Sequence, residues 1–114
     1  MQVKPRVVEY YRTTTGKEPA KEWLNTLKDK VTQAIIYKRI RQAGLGYFGK
    51  TRGVGDGVLE LKIDFGPGYR VYFGIRKDEL ILILVGGSKR TQPQDIQKAR
   101  SFWLQWRKEN GEKE

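Results

Sequence analysis

The stretch Leu-Ile-Leu-Ile-Leu-Val at residues 80–85 is apolar at every position. A half-buried strand alternates apolar with polar residues. An unbroken apolar run of this length therefore reads as a strand covered on both faces, in the interior of a sheet. It is far shorter than the roughly 20 residues that a membrane-spanning helix requires. The two segments before it supply its neighbours. In 58–65, Leu59, Leu61, Ile63 and Phe65 alternate with Glu60, Lys62 and Asp64. In 69–76, Tyr69, Val71, Phe73 and Ile75 alternate with Arg70, Tyr72, Gly74 and Arg76. Gly66-Pro67-Gly68 between them reads as a tight turn, with Pro67 in its second position and Gly68 supplying the positive φ of a type II turn. Lys77-Asp78-Glu79 forms the next hairpin connection, so the three strands make an antiparallel meander.

Residues 6–13, rich in β-branched and aromatic side chains, read as an N-terminal strand that completes a four-stranded sheet. Pro19 suits the first turn of a helix, and Ala20, Trp23, Leu24, Leu27, Val31 and Ala34 follow at helical spacing. The stripe then shifts to Ile36, Ile40 and Ala43, with a possible break at 27–30. This region is either one long helix or a helical hairpin, closed by Gly44 as a C′ glycine. A final helix opens with Thr91 and Gln94 in capping-box spacing and Pro93 in its first turn. Ile96, Ala99, Trp103 and Trp106 form its buried stripe, which makes the tryptophans core residues rather than base-stacking platforms. Residues 44–57, rich in glycine, read as a flexible basic loop exposing Tyr47 and Phe48. The expected fold is α+β, a single domain over residues 1–114, with helices packed on the sheet.

Composition narrows the chemistry. Against 23 Lys and Arg stand 13 Asp and Glu, a net charge of +10, which favours a polyanionic partner. The chain has no cysteine, hence no disulfide framework or thiolate chemistry, and no histidine, the commonest general base and metal ligand. Any catalysis must run on Lys, Arg, Tyr, Glu, Asp or hydroxyl groups, with no metal or other cofactor expected. The N-terminus lacks the apolar core of a signal peptide, so a cytoplasmic address is expected, with no membrane partner. Between Val31 and Gly55 there is no acidic residue, while Lys38, Arg39, Arg41, Lys50 and Arg52 are all cationic. Arg39, Arg41, Lys50 and Arg52 are therefore candidates for contacting RNA.

Pairing the 58–65 and 69–76 strands places Glu60, Lys62, Arg70 and Tyr72 on one outward, solvent-facing surface. Lys89 and Arg90 follow the central strand and stand beside the N-terminus of the last helix, where unpaired N–H groups favour anions. The two basic groups converge on one edge of the sheet, an arrangement suited to a phosphodiester.

Three stretches carry a family resemblance: WLNTL at 23–27, GVGDGVLELKIDFGPGYRVYFG at 53–74, and LILVGGSKRTQPQDIQKA at 82–99. In this order they resemble the HigB-like, phage-derived addiction-module killer proteins of the RelE/ParE toxin superfamily, over about residues 5–105. The resemblance implies a RelE-like fold and a type II toxin–antitoxin pair. It also implies cleavage of mRNA on the translating ribosome, and an antitoxin, expected to be a helix-turn-helix protein encoded alongside. By position, Lys62 and Arg70 match basic residues used at the scissile phosphate, and Arg90 or Lys89 matches the basic residue after the last strand. Thr91, Gln92 and Asp95 belong to the signature of the group, and Thr91, Gln92 and Lys89 are taken as RNA-contacting. The chain departs from the pattern in two respects. Ile96 stands about where RelE carries a catalytic tyrosine, and the histidines of HigB-type enzymes are absent.

Cleavage by 2′-OH attack needs a base for the hydroxyl, a cation for the phosphorane and an acid for the departing 5′ oxygen. Lys62, flanked by Arg70 and Arg90, is the candidate base through like-charge repulsion, with Glu60 as the alternative. Arg70 and Arg90 are the phosphate clamp. Tyr72 or Lys89 is the acid. Two other readings stay open: a ParE-like gyrase inhibitor, and a basic nucleic-acid-binding module without catalysis.

Overall fold

The fold is taken from a computed structural model that describes residues 4–111; the first and last three residues of the expected 1–114 domain lie outside the described residues. In chain order it comprises β1 (Val7–Tyr10), α1 (Pro19–Thr26), α2 (Lys30–Gly44), β2 (Thr51–Gly55), β3 (Val58–Ile63), β4 (Tyr69–Arg76), β5 (Leu80–Ser88), a 3-10 turn at Lys89–Thr91, and α3 (Gln92–Glu109). The class is α+β. The sheet has five strands rather than four, in the order β1-β5-β4-β3-β2. β1 lies parallel to β5, with Val7 opposite Leu80, and the remaining pairs are antiparallel.

The added strand, β2, comes out of the segment expected to be a flexible loop. Asp56 and Gly57 both have positive φ (55° and 85°), the two-residue I′ geometry whose twist matches that of paired strands. β2 is thereby folded back on β3, with Arg52 opposite Glu60 and Thr51 opposite Leu61. The 66–68 turn also differs from expectation. The N–H of Gly68 donates to the Phe65 carbonyl at 3.0 Å, so Gly66, at φ +56°, and Pro67 are the central residues. The positive φ required inside this turn falls on Gly66, although Gly68 also lies at φ +82°. Phe65 sits where the strand ends and stays partly exposed.

The break at 27–30 separates two helices, and side chains explain it. The Asp29 carboxylate accepts from the Val31 N–H at 3.0 Å and the Thr32 hydroxyl at 2.9 Å, capping α2. The Gln33 amide donates to the carbonyls of Leu24 and Leu27, the last acceptors of α1. Val31, expected on the buried stripe, is exposed in the first turn of α2. Gly44 is the last residue of α2 rather than its C′ residue, and the left-handed residue is Gly46.

β5 lies inside the sheet, between β1 and β4, and is covered on both sides. Ile81 and Ile83 pack with Leu24, Ile36, Ile40, Leu61, Val71 and Phe73 in the core beneath α1 and α2. Leu82, Leu84 and Val85 pack with Tyr72, Val58, Ala99 and Trp103 beneath α3. A register shift between Tyr72 and Phe73 lets Leu84 and Val85 both serve the α3 side. Each fully buried side chain of this size contributes roughly 1.5–3 kcal/mol. Trp103 is buried, while Trp23 and Trp106 are half-buried beside it and the other core. The face of β3 and β4 expected to meet solvent is thus the α3 face. No helix among the described residues is long and apolar enough to cross a membrane.

Candidate functional site

Antiparallel pairing aligns residues across β2, β3 and β4 in rows. Arg52, Glu60 and Tyr72 form one row, and Lys62 and Arg70 the next. The first turn of α3 lies over this end of the sheet, which it can reach because Gly87 lacks a side chain. A Cβ at Gly87 would stand 2.0 Å from the Asp95 carboxylate and 2.8 Å from the Thr91 hydroxyl. Thr91 donates to Asp95 at 2.5 Å and makes no side-chain cap bond, so the expected capping box is not formed.

At the centre sits Glu60, 3% exposed. One carboxylate oxygen accepts from Arg52 Nε at 2.8 Å, and the other from the Tyr72 hydroxyl at 2.9 Å and Gln92 Nε2 at 2.8 Å. Burial alone pushes the Glu60 carboxyl up, but the hydrogen bonds from Arg52, Gln92 and Tyr72 outweigh it and hold the group below the ordinary glutamate value. Tyr72 is moved the other way, its hydroxyl pushed well above the usual tyrosine value by burial and by donation to Glu60. These two residues, expected on an open surface as base and acid, lie inside the sheet–helix junction and are bonded to each other. The proton on Tyr72 is directed at Glu60, not at solvent.

Arg70 is also buried rather than outward, at 5% exposure. One of its terminal nitrogens donates to the Gly68 carbonyl at 3.2 Å, and its Nε is 4.0 Å from Glu60 Oε2, too far for a hydrogen bond. That Nε is a buried donor without a hydrogen-bond partner. Such orphans are rare and call for a ligand or an explanation.

Arg70 and Lys62 form the common wall of two clefts. The first, about 420 Å³, is lined by Lys50, Thr51, Arg52, Glu60, Lys62, Arg70 and Gln92: four cations against one carboxylate. The second, about 310 Å³, adds Lys89 and the 65–68 turn. Lys62 is exposed and ion-paired at 3.7 Å with Asp64, which also takes Lys50 at 2.5 Å. A carboxylate, not a pair of arginines, is therefore the partner the fold gives Lys62. The hydrogen bond from Lys50 holds Asp64 below the ordinary aspartate value. Asp64, just past the end of β3 and two residues from Lys62, is thus the ion-pair partner that pairing of the basic residues on this face with nearby carboxylates would use.

The fold brings Lys50, Arg52, Glu60, Lys62, Arg70 and Gln92 together, and of the pair after β5 it brings Lys89. Arg90 is exposed on the 3-10 turn and lines neither cleft. Arg39 donates to the Phe48 carbonyl at 3.0 Å and so holds the 45–50 loop; Phe48, expected to be exposed, stacks on Phe73 at 5.9 Å. Arg41 is exposed on the last turn of α2, and Tyr47 is exposed beyond it. Thr91 is turned to Asp95 and lines neither cleft. Among the described residues no group of three or more acidic side chains is placed to hold a metal ion. Chemically, the site offers a buried guanidinium flanked by exposed ammonium groups, a setting for a phosphate.

No protein-family model matches the chain. Over 78 residues, 68% of this chain and 79% of the other, it is 44% identical to an uncharacterized protein of Haemophilus influenzae. The chain belongs to the same family as that Haemophilus influenzae protein.

Proposed function

We propose that this chain is the toxin of a type II toxin–antitoxin pair, a HigB-like member of the RelE/ParE superfamily with a RelE-like fold. Its activity in this reading is cleavage of mRNA on the translating ribosome, in the cytoplasm, without a metal. The sequence resemblance supports the family. The observation that carries the chemistry is Arg70, a buried guanidinium whose Nε has no hydrogen-bond acceptor, on the shared wall of two cationic clefts. A phosphodiester placed there gives Nε its missing acceptor.

In the reaction the ribose 2′ oxygen attacks phosphorus, its proton goes to a base, and the bond to the 5′ oxygen breaks as that oxygen takes a proton. The products are a 2′,3′-cyclic phosphate and a 5′-hydroxyl. Arg70, itself buried and fixed in place, stabilises the charge that develops on the phosphorane. Lys62, an ammonium paired with Asp64 that lines both clefts, adds a second positive charge at the phosphorane; Lys89, on the wall of the second cleft, is the acid, and water in the open cleft takes the 2′ proton. Glu60 and Tyr72 are positioning residues: they hold Arg52 and Gln92 against the sheet. The ribosome supplies what this set lacks, an mRNA already bent for in-line attack. The partner that silences the chain is an antitoxin bearing an acidic segment, drawn by the +10 charge.

The test is to induce the chain without antitoxin and map new 5′ ends on mRNA. Arg70→Ala is expected to lower cleavage by about 10²- to 10³-fold, the size of one preorganised donor. RNA affinity should fall far less, because one phosphate contact is a small share of a polyelectrolyte interaction. Cleavage at the wild-type rate by a folded Arg70→Ala protein would refute the catalytic reading. Nucleic-acid binding with no new 5′ ends from the wild type would leave the non-catalytic module in its place.

A further inference from the structure

Gln92 lines the first cleft from the start of α3, and its amide is held in one orientation. An ionised carboxylate only accepts hydrogen bonds, so the contact of 2.8 Å to Glu60 must be made by the NH₂ end of Gln92. Glu60 cannot turn away, since Arg52 and Tyr72 grip it from two other sides. The carbonyl oxygen of Gln92 is therefore the end left over, and no donor among the described residues is bonded to it.

The other walls of the cleft make this oxygen unusual. Lys50, Arg52, Lys62 and Arg70 are donors, and donors serve the phosphates and the base acceptors, ring nitrogens or carbonyls, that every nucleotide carries. Glu60 is an acceptor, but three bonds occupy three of the four lone-pair sites of its buried carboxylate. The Thr51 hydroxyl gives its proton to the Phe48 carbonyl at 3.1 Å and keeps acceptor capacity, but as a weaker acceptor than an amide carbonyl. Gln92 is the one amide lining the cleft, and its carbonyl is the acceptor best able to read a donor on a base.

The geometry points to Gln92 as a specificity-determining residue that accepts from the exocyclic amino group of an adenine or cytosine seated beside the bound phosphate. In both bases that amino group is the only donor on the ring. This inference rests on the reading of the cleft as an RNA site, and it adds which chemical feature of the base is read.

The test compares binding of short adenosine oligoribonucleotides with purine-riboside oligomers, and of cytidine oligomers with pyrimidin-2-one-riboside oligomers. Each pair differs only in the amino group, so stacking and backbone charge are matched. Fluorescence anisotropy at fixed salt, on wild type and Gln92→Met, gives the ratio of affinities within each pair. In the wild type at least one pair should show a ratio of roughly 3- to 10-fold in favour of the amino-bearing base, the size of one net hydrogen bond. In Gln92→Met, checked for folding by circular dichroism, that ratio should fall to about 1. Wild-type ratios near 1 in both pairs overturn the assignment, whatever the variant does, and so does a ratio that survives in Gln92→Met. Failure to bind any of the oligomers overturns it too. Amino-dependent binding without RNA cleavage keeps the Gln92 assignment and removes the nuclease; cleavage without amino dependence does the reverse.

Discussion

Replacing Glu60 separates a carboxylate that holds the site from one that takes a proton. Glu60→Ala removes the acceptor from three donors at once. Tyr72 is fully buried, so its hydroxyl is left unsatisfied, a loss of about 1–3 kcal/mol. Arg70, with only 7% of its side chain exposed, loses the carboxylate 4.0 Å from its Nε, and a buried charge stripped of its partner costs about 3–5 kcal/mol. Arg52 is mostly solvent-exposed and adds little. The terms overlap because Arg70 can swing toward water in the adjoining cleft, so a total of about 4 kcal/mol is expected. Urea denaturation of wild type, Glu60→Ala, Tyr72→Phe and the double variant gives the cycle. Tyr72→Phe alone should cost about 1 kcal/mol. In the Glu60→Ala background it should cost nothing or stabilise, since the orphaned hydroxyl is then removed. A Glu60→Ala protein within about 1 kcal/mol of wild type, with no coupling to Tyr72, would refute the buried network. Loss of cleavage with that stability intact would restore Glu60 as a base.

Two further expectations rest on other parts of the fold. Gly86→Ala would put a Cβ 2.2 Å from the Trp23 ring, so Trp23 must shift and the α1–sheet packing loosen; a loss of about 1–3 kcal/mol is expected, read as a lower urea midpoint. Acid should unfold the chain in a defined window: Glu60, Asp64 and Asp78 all have carboxyls held below their ordinary values, by hydrogen bonds outweighing burial at Glu60, from Lys50 at Asp64 and from Arg6 at Asp78. Their contribution is complete above the ordinary carboxylate range of about 3.9–4.3 and is lost as pH falls through the folded-state values below it, so a urea midpoint that does not move between pH 6 and about pH 3 would contradict it.

What could be read from the sequence followed the physics that dominates locally. The period-two runs of 58–65 and 69–76 and the all-apolar 80–85 segment become β3, β4 and β5, because burial on one or two faces dictates those patterns. β2 was missed for the complementary reason. Thr-Arg-Gly-Val-Gly has no apolar stripe of its own, and its order comes from the ladder to β3. The Asp56-Gly57 pair was nonetheless a hairpin signal, obscured by the surrounding glycines. Glu60, Arg70 and Tyr72 are buried, although the polar face of an alternating strand ordinarily meets solvent. The apolar 80–85 run already required a second covering layer, and α3 extends that cover over its β4 neighbour. Which of Lys89 and Arg90 faces the cleft depends on the 3-10 turn, a rotation that no residue pattern announces.

The parallel pairing of β1 with β5 has a consequence for how the chain is made. Val7 waits for Leu80, so the N-terminal strand stays without its partner while the ribosome synthesises nearly all that lies between. Closing so long a loop is slow, and the unpaired edge is exposed meanwhile. The cationic cleft is completed later still, when Lys89 and Gln92 leave the exit tunnel. Under the proposed reading as a nuclease, a growing chain therefore has no complete phosphate site until Gln92 has emerged, and its activity starts only with that residue.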